Sequence, residues 1–558
     1  RPEEALAAIQ EAVDIRRELA AARPDTHLPD LAMSLNNLAN RLGALGRPEE
    51  ALAAIQEAVD IRRELAAARP DTHLPDLAMS LNNLANRLGA LGRPEEALAA
   101  IQEAVDIRRE LAAARPASYL PDLAMSLNNL ANRLGDLGRP EEALTVGQEA
   151  VQTYRQLADA RPDTHLPDLA MSLNNLAIQL GVLGRHEEAL TAGQEAVQTY
   201  RQLADARPAS YLPDLAMSLN NLANRLGDLG RHEEALTVGQ EAVQTYRQLA
   251  DTRPDTHLPN LAGSLNNLAI QLGDLGRPEE ALTVGQEAVQ TYRQLADARP
   301  ASYLPDLAMS LNNLANRLGD LGRPEEALTA GQEAVQTYRQ LADARPDTHL
   351  PNLAMSLNNL AIQLGDLGRH EEALTAGQEA VQTYRQLADT RPDTHLPDLA
   401  MSLNNLANRL GDLGRHEEAL TAIQEAVQTY RQLADTRPDT HLPNLAGSLN
   451  NLAIQLGDLG QPEEALTAIQ EAVQTYRQLA DTRPDTHLPD LAMSLNNLAI
   501  QLGDLGQPEE ALTAIQEAVQ TYRNLAAARP DTHLPDLGMA LRVQSWLQGE
   551  TGSGEKAT

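Results

Sequence analysis

The chain has no cysteine and no phenylalanine, and only one tryptophan (Trp546) and one lysine (Lys556) in 558 residues. Without thiols there are no disulfides and no thiolate metal sites. With aromatics at 2%, the interior must be built from Leu, Ala, Val and Ile. Such layers are thin and suit closely packed helices better than a thick sheet sandwich. No apolar run approaches the roughly 18 residues of a membrane span, and no signal-peptide pattern stands at the start. Positive charge is scarce: 45 Lys and Arg face 78 Asp and Glu, for a formal charge of −33. That balance repels phosphate backbones and argues against a nucleic-acid partner. No nucleic acid, no membrane and a cytoplasmic location are the expectations.

What the chain has is repetition. The string RPEEALAAIQEAVDIRRELAAARPDTHLPDLAMSLNNLANRLGALG fills 1–46 and recurs unchanged at 47–92. Looser copies start at 93, 139, 185, 231, 277, 323, 369, 415, 461 and 507, always 46 residues apart. A fixed period of this length overrides any domain count taken from chain length. The expectation is one continuous array over 1–552, its last copy degenerate and capping, with a disordered tail within 549–558. The opening RPEEAL falls inside a repeat and reads as the edge of a fragment.

Each copy reads as two helices. Pro48 suits a first helical position, and Glu49 and Glu50 suit the positive helix end. Ala51, Leu52, Ile55, Ala58, Val59 and Leu65 then recur with a helical period. Arg69-Pro70 stops this helix, PDTHL reads as the turn, and a shorter second helix runs from Pro75 to Leu88 or Gly89. In the first copy Leu31, Leu35, Leu38, Leu42 and Leu45 form one stripe of that second helix. Met33, Asn36, Asn37, Asn40 and Ala44 fall opposite, so the doubled Asn is expected to point away from its own hairpin. In copies four to nine Gly147, Gly193, Gly239, Gly285, Gly331 and Gly377 stand where Ile55 does. A helical Gly costs roughly 0.5–1 kcal/mol relative to Ala, and Tyr154, on the same face as Gly147, is the candidate to close the gap.

These residues resemble the tetratricopeptide repeat. Leu35, Leu38-Ala39, Leu42, Gly46, Ala51, Ile55 and Ala58 match its spacing, and Pro70 closes the unit later than usual. The closest subtype is that of the kinesin light chains, with a similar PD-x-A-x-x-LNNLA…G-x-x-EEA string, as found in bacterial arrays. The resemblance covers essentially the whole chain, although a period of 46 exceeds the family's usual length. It implies an all-α, right-handed α-solenoid of about twelve repeats that serves as a non-enzymatic scaffold without cofactors. It further implies that the Asn-bearing helices line a concave groove for a peptide or protein partner.

On that resemblance the amide row for a peptide backbone is Asn37, Asn83, Asn129, Asn175, Asn221, Asn267, Asn313, Asn359, Asn405, Asn451 and Asn497. A carboxamide offers both donor and acceptor to a peptide unit. The competing reading is an Asn ladder that satisfies itself between neighbouring helices. The next groove position alternates: Asn at 40, 86, 132, 224, 316 and 408, and Ile at 178, 270, 362, 454 and 500. The residue after it switches in step, Arg following Asn and Gln following Ile. Asp136, Asp228, Asp320 and Asp412 lie further along the same face, and an acidic, Asn-lined channel favours partners with basic residues.

No catalytic constellation emerges. The histidines fall at turns (His27, His73) or helix starts (His186), and HEE lacks the second His of a zinc helix. Trp546, in the decayed last copy, reads as part of a cap. Two other functional readings stay open: a sensor arm of a larger signalling protein (a nucleotide-switch ATPase or caspase-like protease), and end-to-end self-association of near-identical repeats.

Overall fold

The computed structural model describes residues 2–528 and 530–554. Every regular element among them is an α-helix, twenty-four in all, from α1 (Pro2–Ala22) to α24 (Pro530–Gly554). They divide into two compact units, residues 1–218 and 219–558, each a stack of helical hairpins. No helix of the described residues is long and apolar enough to cross a membrane. Helix α24 continues to Gly554 and so overlaps the expected tail. Residues 555–558 of that tail lie outside the described residues.

The local rules are visible in α3 (Pro48–Ala68) and α4 (Pro70–Ala90) of the first unit. Pro48 opens α3 where its missing N–H has no intrahelical partner to lose. Arg47 just ahead forks onto Glu50 with bonds of 2.5 and 2.7 Å. One residue separates the two helices: Arg69 is extended, at φ −141° and ψ 78°, as a residue before Pro must be. At the far end Gly92 takes φ 70°, and the Arg93 N–H returns to the Leu88 carbonyl at 3.0 Å. That is a Schellman closure, which needs a residue free of Cβ strain at this position.

The expected PDTHL turn is instead the beginning of α4, and the two helices are equally long at 21 residues. Pro70 occupies the first helical position, and Pro75, five residues on, removes only one intrahelical bond near the start. Extending the helix through this segment buries His73, which is therefore a packed helix residue and not a turn residue. The same Pro-led start recurs through α22 (Pro484–Asp504).

In the first unit Ile55, Leu81, Ile101 and Leu127 are completely buried. Each such side chain contributes about 1.5–3 kcal/mol relative to exposure. Ion pairs run along the Glu-led helices from one repeat to the next, as in Arg63–Glu103 at 2.5 Å and Arg109–Glu149 at 2.7 Å. The second unit repeats them in Arg293–Glu333 and Arg385–Glu425. These pairs are exposed and worth about 0.2–1 kcal/mol each at most, so the aliphatic layers carry the stacking.

Candidate functional site

The doubled Asn splits into two roles. Asn36, expected on the outer side, is only 5% exposed and accepts bonds from Ser80 Oγ at 3.4 Å and Asn83 Nδ2 at 3.0 Å. The pattern repeats as Ser126 and Asn129 onto Asn82, at 3.3 and 2.9 Å, and as Ser172 onto Asn128 at 2.9 Å. In the second unit Ser310 donates to Asn266 and Ser402 to Asn358, at 2.8 and 2.9 Å. A two-sided helical wheel misplaces Asn36 because each Asn-bearing helix has a third contact side, against the next Asn-bearing helix. The first Asn of the pairs thus lies along a seam between repeats, buried at most positions and half-buried at Asn220 and Asn404.

The second Asn lies at the surface. Asn37 is exposed, and Asn83, Asn129, Asn175, Asn221, Asn267, Asn313, Asn359, Asn405, Asn451 and Asn497 are half-buried. Asn83, Asn129, Asn451 and Asn497 each donate Nδ2 to the first Asn of the preceding repeat, at 2.9–3.2 Å. A carboxamide bonded through one hydrogen retains an acceptor and a second donor. The two sequence readings of this row therefore describe different atoms of the same amides.

Around this row the outward face is apolar and amidic. Met79, Met125 and Met171 of the first unit and Met309, Met401 and Met493 of the second are exposed. Three residues beyond the Asn row stand Asn40 and Asn316, exposed, and Asn86, Asn132, Asn224 and Asn408, half-buried. Ile178 replaces them at 43% exposure, followed by Ile270, Ile362 and Ile454 at 38–40%. Asp136, Asp228, Asp320 and Asp412 are exposed at the helix ends. Each sits 2.9–3.3 Å from the Arg three residues before it: Arg133, Arg225, Arg317 and Arg409. At the equivalent Asp274 burial raises the carboxyl pKa, against the pull of His232 and Arg317.

The gap left by Gly147 in α7 (Pro140–Ala160) is closed by a residue the sequence reading passed over. Gln179, on α8 (Pro162–Val182), lays its amide oxygen where a Cβ of Gly147 would stand. Gln271 does the same over Gly239, and Gln363 over Gly331. Tyr154 packs elsewhere in the core, and Tyr200 donates its hydroxyl to the Pro167 carbonyl at 3.2 Å. The signal was present: Gln follows every Ile of the alternating position. Trp546 and the fully buried Leu547 pack closely over Gly503 in the last hairpin. Among the described residues no group of three or more His, Asp or Glu gathers to hold a metal.

Stacked 46-residue hairpins with Pro-led starts, glycine turns and a polar seam define a helical-repeat array of the interaction-scaffold class. The tetratricopeptide repeat family model matches residues 168–248, 260–340, 306–386, 352–432 and 444–524. A second tetratricopeptide model matches 31–69, 77–113 and 123–163. The chain belongs to the tetratricopeptide-repeat family. A model of anaphase-promoting complex subunit 5 matches residues 1–24 alone. No curated protein matches the chain. Among solved structures, BtubC (BKLC) from P. vanneervenii is similar at 20% identity, over 44% of this chain and 92% of its own, with a TM-score of 0.37. The nearly identical TPR-like repeats of a kinesin-light-chain-type protein from Podosopora anserina are similar at 20% identity, over 40% and 98%, with a TM-score of 0.33. Yeast Tom70 is similar at 13% identity, over 93% and 96%, with a TM-score of 0.39.

Proposed function

We propose that the chain is a non-enzymatic scaffold that holds an extended segment of a partner protein along its Asn-bearing helices. The observation that carries this reading is the separation of the two Asn rows. The first row is spent inside the seam, while the second stays at the surface in register from repeat to repeat, flanked by exposed Met and Ile. Amides at a regular interval recognise peptide units without demanding one side-chain sequence. The exposed Met side chains add an adaptable apolar surface.

The two rows make opposite predictions. Asn→Ala at 175, 267, 313 and 359 is expected to leave helix content and thermal midpoint nearly unchanged while abolishing capture of the partner in a pull-down. Asn→Ala at the buried positions 82, 128, 266 and 312 strands hydroxyl or amide groups and costs about 1–3 kcal/mol each. If the surface-row variant melts as early as the seam variant, that row is structural and the peptide reading fails. If it melts normally and captures the partner as before, the groove is not the binding surface.

A further inference from the structure

Each Asn-bearing helix ends in a glycine that leaves a notch facing the following repeat, and the chain fills most of these notches itself. The Arg87 guanidinium lies over Gly43, Arg133 over Gly89, Arg317 over Gly273 and Arg409 over Gly365. Gln455 covers Gly411 with its amide nitrogen 3.0 Å from the place of a Cβ, and Gln501 likewise covers Gly457 at 2.9 Å. Leu547 and Trp546 fill the notch at Gly503. Three notches differ. At Gly135, Gly227 and Gly319 a Cβ would meet nothing within 4 Å.

The cause lies in the neighbouring helices. The side chain due to cover Gly135 is Gln179, and it has turned away to lie over Gly147. Gln271 and Gln363 have left Gly227 and Gly319 in the same way for Gly239 and Gly331. Where the Glu-led helix carries Ile423 or Ile469 there is no such hollow, and Gln455 and Gln501 remain over their notches. Gly on one helix and Gln on the next therefore open a notch, and the pairing recurs every 92 residues.

The opened space at Gly135 is a cavity of about 330 Å³ lined by Asn132, Arg133, Asp136, Asn175, Ile178 and Gln179. Gln179 is 7% exposed, and neither its amide nitrogen nor its oxygen has a hydrogen-bond partner among the described residues. The same holds for both amide atoms of Gln271 and Gln363, each 5% exposed. These amides are withdrawn into the hollows at Gly147, Gly239 and Gly331, which leaves the notches themselves open.

We propose that the notches at Gly135, Gly227 and Gly319 each take an arginine side chain of the bound extended segment. This inference rests on the groove reading above and deepens it. The array itself places a guanidinium over four of the equivalent glycines. The walls supply acceptors for a planar, five-donor cation: the amide oxygens of Asn132 and Asn175, and the Asp136 carboxylate beside Arg133. The Ile178 side chain offers an apolar flank for the arginine stem, and the chain's charge of −33 draws a cationic segment in. Within the second unit Gly227 and Gly319 lie two repeats apart. Asn-bearing helices in contact are spaced by about 8–10 Å, so the two notches are separated by roughly 16–20 Å. An extended chain covers that distance in about five or six residues.

The test uses the full chain and a fluorescein-labelled Gly/Ser/Ala 13-mer with arginine at positions 4 and 10, read by fluorescence anisotropy. A citrulline version keeps the shape and removes the charge. Binding of the arginine peptide is expected, with at least a tenfold loss for citrulline. The triple variant Gly135→Leu, Gly227→Leu, Gly319→Leu fills the notches from positions where a Cβ meets nothing within 4 Å, and is expected to lose at least tenfold with its melting curve intact. A second triple variant, Gly147→Ala, Gly239→Ala, Gly331→Ala, fills the hollows that hold the glutamines. It is expected to send them back over the notches and weaken binding several-fold while helix stability rises. Equal binding by the Leu variant, equal binding of the citrulline peptide, or no binding of the arginine peptide at 1 mM each overturns the notch assignment. The groove reading is judged separately by the surface Asn row: partner capture lost in those variants sustains it even where the notch fails, and capture retained removes it.

Discussion

Tyr338→Ala lowers the stability of the second unit by about 3–5 kcal/mol, the range for emptying a large buried aromatic site, whereas Tyr338→Phe costs only about 1 kcal/mol. Tyr338, on α15 (Pro324–Ala344), is 1% exposed. It packs with Val335, Leu341, Leu353 and Leu357, and its hydroxyl donates to the Pro305 carbonyl at 3.1 Å. Burial raises its phenol pKa, so the hydroxyl remains a donor throughout the neutral range. In an interior without Phe, this ring is among the largest volumes available, and the surrounding Leu and Val side chains cannot move far enough to refill its space. Repeat arrays unfold through nearest-neighbour terms, so the loss is read locally by hydrogen exchange at α14 (Pro300–Asp320) through α16 (Pro346–Asp366). Equal losses for Ala and Phe place the energy in the hydroxyl, and a loss below about 1 kcal/mol for Ala removes the packing account.

The fold was legible because two signals do not depend on neighbours. The 46-residue period and the Pro-Glu-Glu starts at Pro48, Pro94 and Pro140 mark the helices directly, and the Leu stripe through Leu35, Leu38 and Leu42 marks a buried side. Boundaries failed at PDTHL because the rule for a residue before proline is weakest near a helix start, where Leu74 and Pro75 disturb only one bond. The site was legible in part. The surface row of Asn37 and its equivalents follows from the helical period. The burial of Asn36 does not, because it depends on which flank meets the next repeat. The Gln179–Gly147 pairing joins residues on two helices, 32 positions apart. No covariation marks it: Gly193, Gly285 and Gly377 have Arg225, Arg317 and Arg409 at that spacing, and Ile423 and Ile469 have Gln455 and Gln501, so the pairing is legible only from the packing. A helix glycine looked like a defect to be closed by the nearest ring; at Gly147, Gly239 and Gly331 it is the receptacle for an amide, and at Gly285 and Gly377 Leu314 and Leu406 lie closest.

Acidification from pH 7 to 4 destabilises the hairpins around His441 and His487 by roughly 3 kcal/mol per histidine, the free energy of a shift from 6.5 to about 4. Both side chains are 4% exposed, inside the helix starts that replaced the expected turns. Burial pushes each imidazole down to about 4, with Arg437 and Arg483 adding to the effect. The folded pKa lies below the unfolded value, so the unfolded chain takes the proton first. Stability is therefore complete above pH 6.5, declines as pH falls towards 4, and levels off below it. His349 is lowered by the same causes, burial first and then Arg345. Asp490 works against this slope near His487, because burial raises its carboxyl pKa and the folded state gains from its protonation. At His441 the equivalent residue is Asn444, so that hairpin shows the steeper loss. The chain contains its own control: Tyr119, Tyr211 and Tyr303 occupy the histidine position in other repeats, where Arg115, Arg207 and Arg299 stack over the rings at 5.0–5.2 Å. Tyrosine takes up no imidazole proton, and it turns the neighbouring arginine from an opponent of charge into a partner. The double variant His441→Tyr, His487→Tyr is expected to flatten the acid slope of hydrogen exchange in α20 (Pro438–Asp458) and α22, with little change at pH 7. An unchanged slope assigns the acid sensitivity to carboxylates instead.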